Sequence, residues 1–259
     1  MSYGVMSIVP ESSVPSSLRD TLRALEGRAL QRRRVMPFGV ADVDSRLGDA
    51  GLRLDALHEV APATSSLRDD AAATLFVAGI AARAWGPVLW IVRRRELFGP
   101  CLALSGLAPG RVIQAEAADD AGVLALMEEG LRHPALGAVI GEVRRASPAA
   151  TRRVQQAAER GRTVAMLLRR AARGRGDPLA ATSAAVTRWR VGAAAVVGTA
   201  RPHWTLDLAA QQEGAPFGTT AIACDDTGRL GAIVTPAERR RAASDMIRVA
   251  PAPERAAAA

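Results

Sequence analysis

The stretch "LHEVAPATSSLRDDAAATLFVAGIAARAWGPVLWIV", residues 57 to 92, constrains the fold more than any other. A short apolar run (57 to 60) leads through a loop into an apolar segment of helical length (67 to 84), opened by "SSLRDD". A second apolar run, "PVLWIV" (87 to 92), follows. Two buried strands joined through a helix form a crossover unit, and crossovers build parallel sheets. The layout is that of a nucleotide-binding βαβ unit.

The alternation continues. "ELFGPCLALSGL" reads as a helix or helical turn, and "RVIQAEA" (111 to 117) as a strand. "DDAGVLALMEEGLRHP" reads as a helix capped by Asp119 or Asp120, with Pro134 past its end. "LGAVIGEV" (136 to 143) is the next strand. In "SPAATRRVQQAAERG", Ser147 caps a helix, Pro148 takes its first position and Gly161 closes it. "RTVAMLL" (162 to 168) completes the series. Short apolar strands between helices predict an α/β fold, a mostly parallel sheet with helices on both faces. After residue 170 the pattern changes. "AVTRWRVG" and "HWTLDLAA" alternate apolar and polar residues, as half-exposed strands do, and "TTAIACDDTGRLGAIVT" reads as a hairpin turning at "DDTG". Three parts are expected: residues 1 to 35 with one helix over 16 to 34, a core over 36 to 234 with added C-terminal strands, and a basic, mobile tail over 235 to 259. Residues 35 to 56, with Gly39, Gly48 and Gly51, read as a loop.

Hydrophobic residues are 49% of the 259, enough for a packed core; aromatics are only 3%, so that core is expected to be Leu, Val, Ile and Ala. The chain has no lysine and no asparagine: all 34 basic residues are arginine, and the net charge is +8. An arginine-rich surface can hold phosphates or acidic protein faces. Cys101 and Cys224 make neither a disulfide framework nor a metal set, and His58, His133 and His203 lack ligand spacing. No apolar run approaches the roughly 20 residues of a membrane span. No secretion signal opens the sequence, so a cytoplasmic location is expected.

The loop "APATSSLRDD" is the chemically informative piece. A phosphate-binding loop needs glycines whose N–H groups converge on the phosphates, a lysine for the terminal phosphates and a Ser or Thr for magnesium. The required positions fall on Ala61, Ser66, Leu67 and Arg68, with Ser65 beside them, and none matches. Asp69 and Asp70 at the helix start repel phosphate. Glu142, ending the strand "AVIGEV", stands where the second acid of such a site belongs. No catalytic residue, metal or cofactor is expected, ATP included.

"MPFGVADVDSRLGDAGLRLDALHEVAPATSS" resembles the entry to the ATPase core of RecA, in Gly39, Asp44, Leu47, Gly48, Gly51, Leu52 and the strand 57 to 60, with Pro62, Thr64 and Ser65 keeping the character of its loop. The similarity runs from about residue 36 to 170. "LHEVAPA", "VLWIV", "ELFGPCLALSGLAPGRVI", "ALMEEGLRHPALGAVIGEV", "RRVQQAAERG", "TRWRV" and "HWTLDL", in that order, are similar to the ImuA family of bacterial damage-induced mutagenesis. The resemblance implies a RecA-like (P-loop NTPase-type) fold with a degenerate phosphate loop. It also implies a non-enzymatic accessory protein of translesion DNA synthesis in the SOS response. The partners so implied are ImuB, an error-prone polymerase subunit and RecA. Among RecA-like ATPases a catalytic glutamate follows the second core strand; Arg94 takes that place here, with Glu96 nearby.

Two further readings stand beside the adaptor. One is a single-stranded DNA-binding module, resting on Arg93, Arg94, Arg95, Arg144, Arg145, Arg169, Arg170, Arg173 and Arg175, with Trp189 and Trp204 as stacking platforms. The other is residual ATP binding. In the tail, Met246 and Ile247 lie between basic residues and are candidates for partner contact.

Overall fold

The structure is a computed structural model, and it describes residues 34–93, 99–170, 176–194 and 201–233. The expected helix over 16 to 34 and the basic tail lie outside the described residues. The elements below belong to the unit Val35–Ala259.

A two-stranded antiparallel ribbon, β1 (Val35–Met36) with β2 (Leu52–Arg53), brackets a single helical turn, α1 (Ala41–Asp44). The main series follows: β3 (Leu57–Pro62), α2 (Leu67–Arg83), β4 (Val88–Val92), α3 (Gly99–Leu102), β5 (Val112–Glu116), α4 (Asp120–Gly130), β6 (Ala138–Val143), α5 (Pro148–Gly161), β7 (Val164–Arg169), β8 (Thr187–Ala194), β9 (His203–Gln211) and β10 (Phe217–Ile222). The sheet has eight strands in the order β10-β9-β8-β3-β7-β6-β4-β5. From β8 to β5 every pairing is parallel; β9 and β10 add antiparallel strands at one edge. This architecture is compatible with a RecA-like fold.

The helices start where the sequence supplies a cap. Ser66, Asp119 and Ser147 each accept the N–H three residues on, at 3.1, 2.8 and 3.2 Å. The central strands are apolar on both sides because both faces are covered. In β7, Val164, Met166 and Leu168 join the core under α2, while Ala165 and Leu167 join the core under α4 and α5.

Three expectations are corrected. The core is not purely aliphatic: Phe38, Phe76, Trp189, Trp204 and Phe217 form one cluster, with Phe76 at 5.8 Å from Phe38, 5.9 Å from Trp189 and 6.3 Å from Trp204 between ring centroids. Few aromatics suffice when they are packed together on one side of the sheet. Residues 35 to 56 are not simply a loop, because Met36, Phe38, Val43, Leu47 and Leu52 all bury into that same core. Gly161 does not supply the left-handed turn after α5. Arg162 does, at φ 52°, and Gly161 is glycine because a Cβ there would lie 1.8 Å from the Leu131 carbonyl oxygen. The expected hairpin does turn at Asp225–Gly228: the Asp225 N–H donates to the Arg229 carbonyl at 3.0 Å, and among the described residues its arms meet where Ile222 bridges to Gly231. The turn packs on α2, where a Cβ on Gly228 would meet the Gly79 carbonyl oxygen at 2.4 Å.

Candidate functional site

In a parallel sheet the loops at the carboxyl ends of the strands converge, and ligands bind there. The loop 63–66 leaves β3 at that end. Ala63 N–H donates to the Val191 carbonyl at 2.8 Å, so the loop follows β8 before turning into α2. Its organising group is Asp69. One carboxylate oxygen accepts the Thr64 hydroxyl; the other accepts the Ala193 N–H at 2.8 Å. Gly192 permits this closeness, since a Cβ there would meet Thr205 Oγ1 at 2.5 Å and Ala63 Cβ at 2.9 Å. Burial works against the Asp69 charge, but the hydrogen bonds from Thr64, Ala193 and Ser66 outweigh it and hold the carboxyl below the usual carboxylate range. Asp69 is therefore an anion at neutral pH, seated inside the loop.

Ala61 is buried, whereas Ser65, Ser66, Leu67 and Arg68 are exposed, Leu67 at 82%. Glu142 is tied rather than open: Trp90 Nε1 donates to Oε1 at 2.7 Å, and Arg170 Nε donates to Oε2 at 2.8 Å. Arg170 continues to Asp70 at 3.0 Å and to the Thr74 hydroxyl at 2.9 Å, pinning the first turns of α2 to the end of β6. Burial opposes the Arg170 charge, yet Glu142 and Asp70 prevail and hold it above its ordinary value.

On the opposite face lies a second cluster. Glu59 of β3 is fully buried and accepts from Arg188 Nε at 2.8 Å, Ser183 Oγ at 3.0 Å and Arg169 Nη1 at 3.4 Å. Arg169 is only 3% exposed, and burial pushes its guanidinium below the ordinary value while Glu59 pulls the other way. This corrects the expectation that Arg169 contacts DNA or a partner: it is an internal counter-ion. Arg170 is likewise committed to internal carboxylates. Trp189 and Trp204 are buried at 0% and 2%, so neither can stack on a base. Arg93 lies half-buried, 3.6 Å from Asp120, whose carboxylate also accepts the N–H groups of Arg144 and Arg145. The Arg144 and Arg145 side chains remain exposed at the carboxyl end of β6. Arg94, Arg95, Glu96, Arg173, Arg175, Met246 and Ile247 lie outside the described residues.

No group of three His, Cys, Asp or Glu side chains that could hold a metal ion occurs among the described residues, and none of their helices is long and apolar enough to cross a membrane.

No family model matches the chain. Protein ImuA of Caulobacter vibrioides, in each of two strains, is 34% identical to it over 198 residues, covering 71% of this chain and 81% of the relative. The chain belongs to the ImuA family. Within this ImuA-family chain, sequence reasoning brought Glu142 and the 61–68 loop to one end of the sheet, where the structure places them. It missed Glu59, Arg188 and Asp120 as organising charges. Only the position of Asp120 at a helix start carried a signal; Glu59 sits in an apolar strand with nothing local to mark its partners.

Proposed function

We propose that the chain is a non-enzymatic adaptor in damage-induced mutagenesis: a RecA-like framework that binds a polymerase-like partner of the ImuB kind, in company with an error-prone polymerase subunit, and RecA as a further partner. The observation that carries this reading is the occupied loop after β3. Where a triphosphate would need convergent donors and a lysine, this loop holds its own Asp69 carboxylate, bound to Thr64 and Ala193. A phosphate entering there meets an anion already using those donors. Arg170, which reaches the start of α2 through Asp70 and Thr74, is held by Glu142. Family membership supports the mutagenesis setting, through the resemblance described above.

The test is co-purification of the full chain with the polymerase-like partner, with and without ATP and magnesium. Association that does not respond to nucleotide is the expected result. No association in extract or with purified proteins removes the adaptor reading, and tight magnesium-dependent ATP binding removes the degenerate-loop premise.

The second reading, direct contact with single-stranded DNA, keeps one supporting observation. Arg144 and Arg145 are exposed at the carboxyl end of β6, while their N–H groups are fixed by Asp120. DNA binding through them would weaken steeply as salt rises. Undetectable affinity at low salt rejects it.

A further inference from the structure

At the amino end of the sheet, away from the loops described above, α4 and α5 enclose a groove of about 330 Å³ lined by Glu128, Arg132, Arg153, Gln156, Arg160 and Gly161. Three arginines and one glutamate give it a net positive lining. The groove already holds one carboxylate: Arg153 Nε donates to Glu128 at 2.9 Å. Arg132 is drawn outward to Glu129 at 2.7 Å, both side chains 65% exposed. Arg160, two turns along α5 from Arg153, is exposed and makes no hydrogen bond or ion pair among the described residues. The floor is fixed by close packing, since Gly161 lies against the Leu131 carbonyl.

We infer that this groove is a docking site for an acidic, partly apolar segment of a partner protein, seating a carboxylate between Arg153 and Arg160. Charge complementarity argues for that occupant: arginine guanidiniums bind carboxylates, and the single Arg153–Glu128 bond shows that a carboxylate fits within the groove. Glu128 and Glu129 on the α4 wall argue against a nucleic acid, whose phosphates recur at every nucleotide and would meet both. An acidic peptide can space its charges around them. The same end of the sheet presents Trp85, 90% exposed in the turn before β4, and tryptophan and arginine are the residues that dominate protein interfaces. The inference rests on the adaptor reading only for the class of partner.

The experiment is fluorescence anisotropy on the full chain with two labelled probes: a short peptide of alternating glutamate and leucine, and oligo-dT. Arg160→Glu is the primary variant, because Arg160 has no hydrogen bond or ion pair to lose among the described residues; Arg153→Glu/Arg160→Glu is the second, with melting temperature checked for both. Saturable peptide binding, weakened about tenfold by Arg160→Glu and further by the double variant, is expected. The inference is overturned if the peptide does not bind, if charge reversal leaves its affinity unchanged, or if oligo-dT rather than the peptide is the probe lost. Co-purification with the polymerase-like partner is scored separately, so the adaptor reading and the groove fail independently.

Discussion

The Asp69 carboxylate accepts the backbone N–H of Ala193 across 124 residues of sequence, at 2.8 Å. That bond, with the one from Thr64, makes a single side chain the tie between the β3 loop, the start of α2 and the end of β8. Asp69→Ala leaves a backbone donor and a hydroxyl without their acceptor, at a cost of about 1–3 kcal/mol. The urea midpoint should fall with an unchanged slope, and Asp69→Asn should fall less because one oxygen still faces Ala193. Since the folded carboxyl titrates below the ordinary range, this contribution is present at neutral pH and is lost as pH falls through the folded pKa. Asp69→Ala as stable as the parent chain would show that the tie holds nothing.

Glu59 is the acceptor for two buried or nearly buried arginines, Arg169 and Arg188. Glu59→Gln removes the charge and leaves Arg169 without a counter-ion inside the protein, which costs about 3–5 kcal/mol. Replacing both members, Glu59→Leu with Arg169→Met, removes the stranded Arg169 charge, while the partly exposed Arg188 keeps its bond to the Ala181 carbonyl, and should recover part of that loss. Thermal melts of the single and double variants check it: a double variant no better than the single would mean the packing, not the charge, carries the effect.

The contrast between those two sites and the helices shows what a sequence makes visible. Ser66, Asp119 and Ser147 announce helix starts because a cap acts three residues away. The strands were legible because a strand covered on both faces is apolar without interruption, as 138–140 and 164–168 are. Arg169 and Arg170 read as a surface pair at a strand end, yet their partners Glu59 and Glu142 lie 110 and 28 residues away. Nothing within reach of a local pattern distinguishes a buried counter-ion from a solvated charge. Gly161 misled for a related reason: its constraint is the Leu131 carbonyl on a neighbouring element, not its own backbone turn.

His58 is fully buried, and its neighbours settle its protonation. Nε2 faces the Arg53 carbonyl at 2.8 Å and must donate to it; Nδ1 faces the Thr187 hydroxyl at 2.7 Å and accepts, while Trp189 Nε1 donates to the Thr187 oxygen at 2.8 Å. Burial lowers the pKa from 6.5 to about 4. The unfolded chain therefore binds this proton more readily than the folded one. Stability is full above the unfolded value and falls as pH drops from about 6.5 toward 4, by on the order of 3 kcal/mol. Denaturant midpoints against pH should show this slope, and His58→Gln should flatten it; an equal slope in the variant would assign the acid sensitivity elsewhere.

Arg111 closes the carboxyl end of α2. Its guanidinium donates to the carbonyls of Ala82 and Gly86, each at 2.7 Å, and to that of Ala84. The last carbonyls of a helix have no partner within it, and here one planar fork from the approach to β5 serves several at once. Arg111→Ala should cost about 1–3 kcal/mol and speed amide exchange in residues 81 to 86 more than elsewhere. Arg111→Lys should rescue only part, because a single ammonium cannot span carbonyls that the fork reaches together. Exchange that rises evenly across the sheet would mean Arg111 acts through global stability alone, and full rescue by lysine would reduce its role to charge.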